Sequence, residues 1–368
     1  MKLNILAFPY RDWYFHTQFG SAVRDLQIID ALLECGAVKK ITLVNRPVSI
    51  YERLTTKRNP PHTTNPKLVV LDATSYDLMG PLRGRKWFEN CYYKYSHLNL
   101  YDTECVNLIL DFLPIGGMTY EAIRHDLVWY DCIDNFTKHN RFDTLERDLV
   151  RKKYRYVDSA AKLITGVSPG VVAEFERAVV VPNAAGYKPR INEIAVANDD
   201  AFDFGYIGFL TDKFDLDLIE LLARNGYRIS VFGKSFDSKI TNRIRNLPNV
   251  QYNGAFNHSD IPRIVKTFYV GLLPYHQCKS HDESPLKLYQ YLIHGKPTLT
   301  SINYELQGEG IACYDGTSQR GILELAKRLR DCANSLNFRQ RMVQSLQPDH
   351  FWETKLSQIL ARIRTLNV

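Results

Sequence analysis

The sequence predicts an α/β protein of two doubly wound domains, from its length, an alternation of strands with helices, and a restart of that alternation. At 368 residues the chain exceeds one ordinary core, since domains run to about 100–200 residues. Short runs rich in Val, Ile and Leu alternate with stretches of helical spacing, the pattern of a parallel sheet covered on both faces.

The first series of strands reads KLNILAF (2–8), KKITLVN (39–45), KLVVLDA (67–73), VNLILDFL (106–113), LVWYDCID (127–134) and KLITGVS (162–168). Between the first two, AVRDLQIIDALLECG (22–36) has helical spacing and ends on a C-cap glycine, Gly36. The segment 179–203, rich in Pro, Asn and Asp, is the linker candidate. A second series follows: FGYIGF (204–209), YRISVFG (227–233), NVQYNGAF (249–256), VGLLPY (270–275) and KPTLTS (296–301). The expected domains are 1–190 and 200–348. Helix 349–368 places Phe351, Leu356, Ile359, Leu360, Ile363 and Leu366 at helical spacing and is a candidate to pack back on the first domain.

Composition removes several function classes. With 45% hydrophobic and 24% charged residues and no low-complexity tract, the chain is a folded protein rather than a disordered one. No apolar run approaches the roughly 18 residues of a membrane span. The N-terminus MKLNILAFPYRDW is broken by Pro9, Arg11 and Asp12, and reads as a strand rather than a signal peptide. Seven scattered cysteines without a Cys-x-x-Cys pair suit free thiols in a reducing cytoplasm. The net charge of +7 admits an anionic partner. In 81–97, Arg83, Arg85, Lys86 and Lys94 interleave with Trp87, Phe88, Tyr92, Tyr93 and Tyr95, which suits a lipid headgroup interface or a surface helix with a buried aromatic stripe. No nucleic-acid motif is present.

In HDESPLKLYQYLIHGKPTLTS (281–301), Ser284 followed by Pro285 reads as a helix start, with the helix running to about His294 and stopping at Gly295. A helix N-terminus favours an anion, and Lys287 in the first turn adds a full charge on the face it shares with Gln290. A solvated lysine on an exposed helix is the plainer alternative. Gly208 and Gly233-Lys234 follow strands, where glycine permits close approach of a ligand or simply makes a turn. Asp131 and Asp134 end the strand at 127–134, and Asp134 stands where a general base, or an Asx cap, would sit. Arg11, Asp12, His16 and Gly20, after the first strand, are candidate binding residues, although a loop histidine is commonly just solvated. The acidic pieces 215–218 and 198–200 fall in a helix and in the linker, so no metal site is expected.

The stretches YIGFLTDKFDLDLIELLA, NVQYNGAFNHSDIP and ESPLKLYQYLIHGKPTLTS resemble GT-B glycosyltransferases, in particular the bacterial teichuronic-acid-type and xanthan-glucuronosyltransferase-like enzymes of surface polysaccharide synthesis. The signature of that group reads Ser-Pro-x-Lys-x-Tyr-Glu-Tyr-Leu-x-x-Gly-Lys-Pro. The N-terminal half matches mainly in WYDCIDNF (129–136) and ITGVSPGVVAEF (164–175). Many GT-B enzymes carry two glutamates separated by seven residues; here those positions are Asp282 and Gln290, and the second cannot carry charge.

The resemblance implies two Rossmann-like domains facing across a cleft that closes on the donor. A nucleotide-diphosphate sugar would be held by Gly208, Gly233, Lys234, Tyr252, Asn253, Asp282, Glu283, Ser284 and Gln290, with Lys287 stabilising the departing diphosphate. Tyr252 either lines the base-binding loop or packs inward. Asp134 would be the base of an inverting transfer, and Arg11, Asp12, His16, Gly20 and Asp131 would meet a glycan acceptor, of a polyprenyl-diphosphate-linked class. No cofactor, metal or nucleic acid is expected, and the setting is cytoplasmic, peripheral on an anionic membrane surface. Two competing expectations are a nucleotide-sugar epimerase of the same fold and a noncatalytic nucleotide-sugar-binding subunit.

Overall fold

The computed structural model describes residues 2–55, 63–76, 91–95, 99–188, 194, 200–235, 237–280 and 282–366. The chain forms two compact units. The first comprises Met1–Pro182, His281–Glu283 and Lys355–Val368, and the second Asn183–Ser280 and Ser284–Thr354.

The first unit is built on β1 (Leu3–Phe8), β2 (Val38–Val44), β4 (Leu68–Leu71), β6 (Val106–Asp111), β7 (Leu127–Cys132), β8 (Leu163–Gly166) and β9 (Ala178–Val180). They make one parallel sheet in the order β4-β2-β1-β6-β7-β8-β9, beside a small parallel pair of β3 (Val48–Ser49) and β5 (Thr74–Ser75). The central strands are mostly apolar because both faces are covered, and Leu108, Leu110, Trp129 and Tyr130 are fully buried. The helices of this stretch are α1 (Trp13–Phe19), α2 (Arg24–Glu34), α3 (Ile50–Thr55), α4 (Thr144–Ala160) and α5 (Pro169–Val172). A capping box of Asp143 and Glu146 opens α4.

The second unit repeats the plan with β10 (Phe202–Ile207), β11 (Ile229–Phe232), β12 (Val250–Gly254), β13 (Phe268–Leu273), β14 (Thr298–Thr300) and β15 (Ile311–Cys313), ordered β12-β11-β10-β13-β14-β15 and all parallel. Its helices are α6 (Leu216–Arg224), α7 (Ser238–Arg245), α8 (Ile261–Ile264), α9 (Leu286–Ile293), α10 (Gln319–Ala333) and α11 (Leu336–Gln344). Helix α12 (Trp352–Leu366) closes the chain. In both sheets the order reverses beside the first strand, at β1/β6 and at β10/β13, where doubly wound proteins build their sites.

Several boundaries differ from expectation. Val179 and Val180, expected in the linker, belong to an edge strand, Ala178–Val180, and Ile311–Cys313 adds another. Segment 8–20 contains a helix rather than a loop, and α2 ends at Glu34 with Cys35 as its cap. The basic and aromatic segment 81–97 lies outside the described residues except for Cys91–Tyr95, a 3-10 turn with Cys91, Tyr92 and Tyr95 buried. All seven cysteines are free, and among the described residues no helix is long and apolar enough to cross a membrane.

Candidate functional site

The carboxyl ends of β10 and β11 meet through two glycines. Gly208 has φ 139° and donates its N–H to Phe232 O at 2.9 Å, while Gly233 has φ 157° and donates to Gly254 O at 2.6 Å. A Cβ on Gly233 would lie 1.7 Å from Gly208 O, and one on Gly208 would lie 1.8 Å from Lys287 Cε. Only glycine permits both the backbone angles and the lysine stem lying across them.

Lys287 rises from the first turn of α9, over Gly208. Its ammonium donates to Tyr275 Oη at 2.8 Å and stands 5.6 Å from the Tyr206 ring centre and 5.5 Å from that of Tyr275. No ion pair among the described residues includes Lys287, so its partner is a neutral phenol and the positive charge is not neutralised. Tyr275 follows β13 and Tyr206 lies on β10, the two strands flanking the reversal of order. Burial holds the Tyr206 phenol well above its usual pKa, so it stays protonated.

Ser284 does not cap α9. The helix begins at Leu286 after an extended Pro285, with no side-chain cap. The Ser284 hydroxyl instead donates to the Glu305 carboxylate and accepts from the Asn183 N–H at 3.2 Å, and the Asn183 amide donates to Ser284 O. Tyr289 Oη also donates to Glu305, at 2.9 Å. This tertiary pull on Ser284 overrides the local Ser-Pro signal and leaves the helix N-terminus uncapped beside Lys287. At the other end Gly295, at φ 65°, terminates the helix as expected. Gln290 lies half-buried one turn beyond Lys287.

The remaining donor candidates divide. Tyr252 donates its hydroxyl to Gly233 O at 2.8 Å and so braces the glycine turn, with the Arg245 guanidinium 5.4 Å from its ring centre. Asn253 is turned to Ser230 at 2.9 Å, and Lys234 is exposed. Glu283 is half-buried. Asp282, at φ 63°, is grouped with the first unit, where it accepts from Asn135 Nδ2 and Lys138 Nζ, each at 2.9 Å. A Cβ on Gly170 would lie 2.5 Å from its carboxyl carbon.

In the first unit, Asp131 is not an acceptor contact. It is 0% exposed and bidentate to Arg24 at 2.7 and 2.8 Å, and Thr165 donates to it at 2.6 Å, so its oxygens are spent inside the sheet's cover. Asp134 lies half-buried just past the carboxyl end of β7. The turn after it is closed by Asn135, whose Oδ1 accepts from the Thr137 N–H at 3.2 Å and its hydroxyl at 2.7 Å. Asp12 caps α1 through the Phe15 N–H at 2.9 Å, and Gly20 ends that helix at φ 67°. His16 is neither loop-borne nor simply solvated: it stacks on Trp13 at 3.9 Å, and burial lowers its pKa. Arg11 is exposed, its guanidinium over Tyr10 and Phe15.

The sequence reading missed Tyr206, Tyr275, Glu305 and Asp25. Tyr275 carried a usable signal, since it stands at the carboxyl end of the run VGLLPY. Asp25 is 0% exposed, accepts from the Arg11 N–H at 2.8 Å, and burial raises its pKa to about 6. Among the described residues no group of three or more His, Cys, Asp or Glu is placed to hold a metal.

No protein-family model matches the chain, and no curated protein matches it in sequence. Among solved structures it is similar to the lipopolysaccharide outer core galactosyltransferase WaaB in its apo form, at 12% identity and TM-score 0.55 over 98% of this chain and 100% of that one. It is also similar to AviGT4, a glycosyltransferase involved in avilamycin A biosynthesis, at 13% identity and TM-score 0.56 over 99% and 98%. UGT89C1 of Arabidopsis thaliana, complexed with UDP-L-rhamnose, matches at 10% identity and TM-score 0.50 over 99% of each chain. These neighbours are GT-B glycosyltransferases, and GT-B is the fold of this chain.

Proposed function

We propose that the protein is a glycosyltransferase that takes a sugar from a nucleotide-diphosphate donor held by the second unit. The observation that carries this reading is Lys287: an ammonium fixed across a glycine turn at the carboxyl ends of parallel strands, beside an uncapped helix start, and held by a hydroxyl rather than a carboxylate. A diphosphate supplies the missing negative charge, and the same ammonium stabilises it as the glycosidic bond breaks. The diphosphate leaves with the electron pair of that bond, and no metal is invoked.

In this reading Asp134 removes the proton of the acceptor hydroxyl as its oxygen attacks the anomeric carbon, which inverts the configuration. The acceptor is a lipid-linked glycan of bacterial surface polysaccharide synthesis, met by the exposed Arg11 and its surroundings, with the protein at the inner face of an anionic membrane. Among the alternatives, the noncatalytic sugar-binding subunit draws support from Gln290, which stands at a glutamate's position.

A thermal-shift screen of nucleotide sugars tests the reading. One donor should raise the melting temperature in a concentration-dependent way, by mass action on the folded state. Lys287→Ala should shrink the shift. Asp134→Asn should keep the shift and lose transfer by about 100-fold or more, the lower range of a general base's contribution. Binding without transfer to any glycan would favour the noncatalytic reading.

A further inference from the structure

We propose that Tyr275 and Tyr206 form a hydroxyl relay that positions Lys287 for the diphosphate without neutralising it; this rests on the donor-site reading above. The relay has a defined direction. An ammonium only donates, so Lys287 donates a hydrogen bond to Tyr275 Oη at 2.8 Å. Tyr206 donates its own hydroxyl to Phe209 O at 2.8 Å, and its oxygen, 3.4 Å from Tyr275 Oη, is left to accept from Tyr275. The chain therefore runs from Lys287 through Tyr275 and Tyr206 to the carbonyl of the residue after Gly208.

That closure has a physical consequence. The ammonium is tied to the same turn that its stem crosses, where a Cβ on Gly208 would meet Lys287 Cε at 1.8 Å. Hydrogen bonds in series polarise one another, so each link firms the next. The Tyr206 ring centre lies 5.6 Å from the ammonium and attracts the cation without cancelling its charge. A carboxylate in place of Tyr275 would hold the lysine as firmly but would compete with the incoming anion. Tyr275 is anchored in turn, its N–H donating to Ser301 Oγ at 2.8 Å. Tyr206 and Tyr275 are positioning residues: they act through Lys287.

Titration calorimetry with inorganic pyrophosphate tests the relay, on the full chain and on Tyr275→Phe, Tyr206→Phe, Lys287→Met and the Tyr275→Phe/Lys287→Met pair. Wild-type protein should bind pyrophosphate, and Tyr275→Phe should weaken binding about ten-fold, the scale of one hydrogen bond to a charged group. Tyr206→Phe should weaken it less, because the Lys287–Tyr275 bond survives. In the Lys287→Met background Tyr275→Phe should have no further effect, whereas a merely structural tyrosine would weaken binding equally in both backgrounds. Melting temperatures recorded alongside show that each variant is folded. Binding weakened in Lys287→Met but unchanged in Tyr275→Phe would overturn the relay and leave the donor site standing. No pyrophosphate binding by wild-type protein would overturn both.

Discussion

Asp131 and Asp134 stand three residues apart, and their surroundings give them different work. Asp131 is locked to Arg24 inside the first unit, and breaking such a buried pair by removing one partner costs about 3–5 kcal/mol. Arg24→Ala should show that loss in urea denaturation, while Asp134→Asn should stay within about 1 kcal/mol of wild type. The sequence could not separate the two, because strand alternation assigns faces but does not say which face a partner from α2 will cover. Asp25 makes a pH-dependent counterpart. Its carboxyl rises from the ordinary 3.8 to about 6 through burial, so the folded state holds the proton more tightly than the unfolded one. Stability is therefore lost as pH rises from about 4 to about 6 and stays lower above that. Asp25→Asn should raise the melting temperature at pH 7–8 and change it little below pH 4.

At the scale of the element, α9 is where local and tertiary signals conflict. Ser-Pro reads as a cap and first helical residue, yet Glu305 holds the serine and Pro285 stays extended. Such conflicts gather at functional sites. If Ser284 acts through Glu305, Ser284→Ala should destabilise the protein by about 1 kcal/mol, and by much less in a Glu305→Ala background; a capping serine would cost the same in both. The long apolar strands were legible because burial on both faces writes itself into composition. The three-residue strands β9 and β15 carry too few residues for any period to register, and the seven-residue α1 hides among aromatics. Gly208, Gly233 and Lys287 were legible as glycines after strands and a lysine after Ser-Pro. Tyr206 and Glu305 were not, because their importance lies in contacts with residues distant in the sequence.

At the scale of the whole molecule, two sheets of the same parallel plan follow each other in one chain. The units are not contiguous in sequence, since Lys355–Val368 is grouped with the first. Within that stretch Leu356, Ile359, Leu360 and Ile363 are buried. Deleting residues 355–368 should lower the melting temperature sharply, because burying each such side chain contributes about 1.5–3 kcal/mol. The second unit carries its own pH signature. Burial, then Arg339 and Lys266, lower the Lys296 pKa from 10.5 to about 7, and burial, then Lys296 and Lys266, lower that of His294 from 6.5 to about 4. Both groups bind fewer protons when folded, so stability rises with pH from about 4 to 6.5 through His294 and from about 7 to 10.5 through Lys296. Lys296→Met should raise the melting temperature at pH 7, with the gain shrinking toward pH 10.

Lys296 is fully enclosed, with Phe268 O as its acceptor at 2.8 Å. Near neutral pH roughly half of it is thus an uncharged primary amine, shut away from solvent. An amine-selective acylating reagent can reach it only during the moments when the second unit opens. The accumulated label on its peptide, weighed by mass spectrometry, would count those openings, so the chain carries a built-in clock of its own breathing.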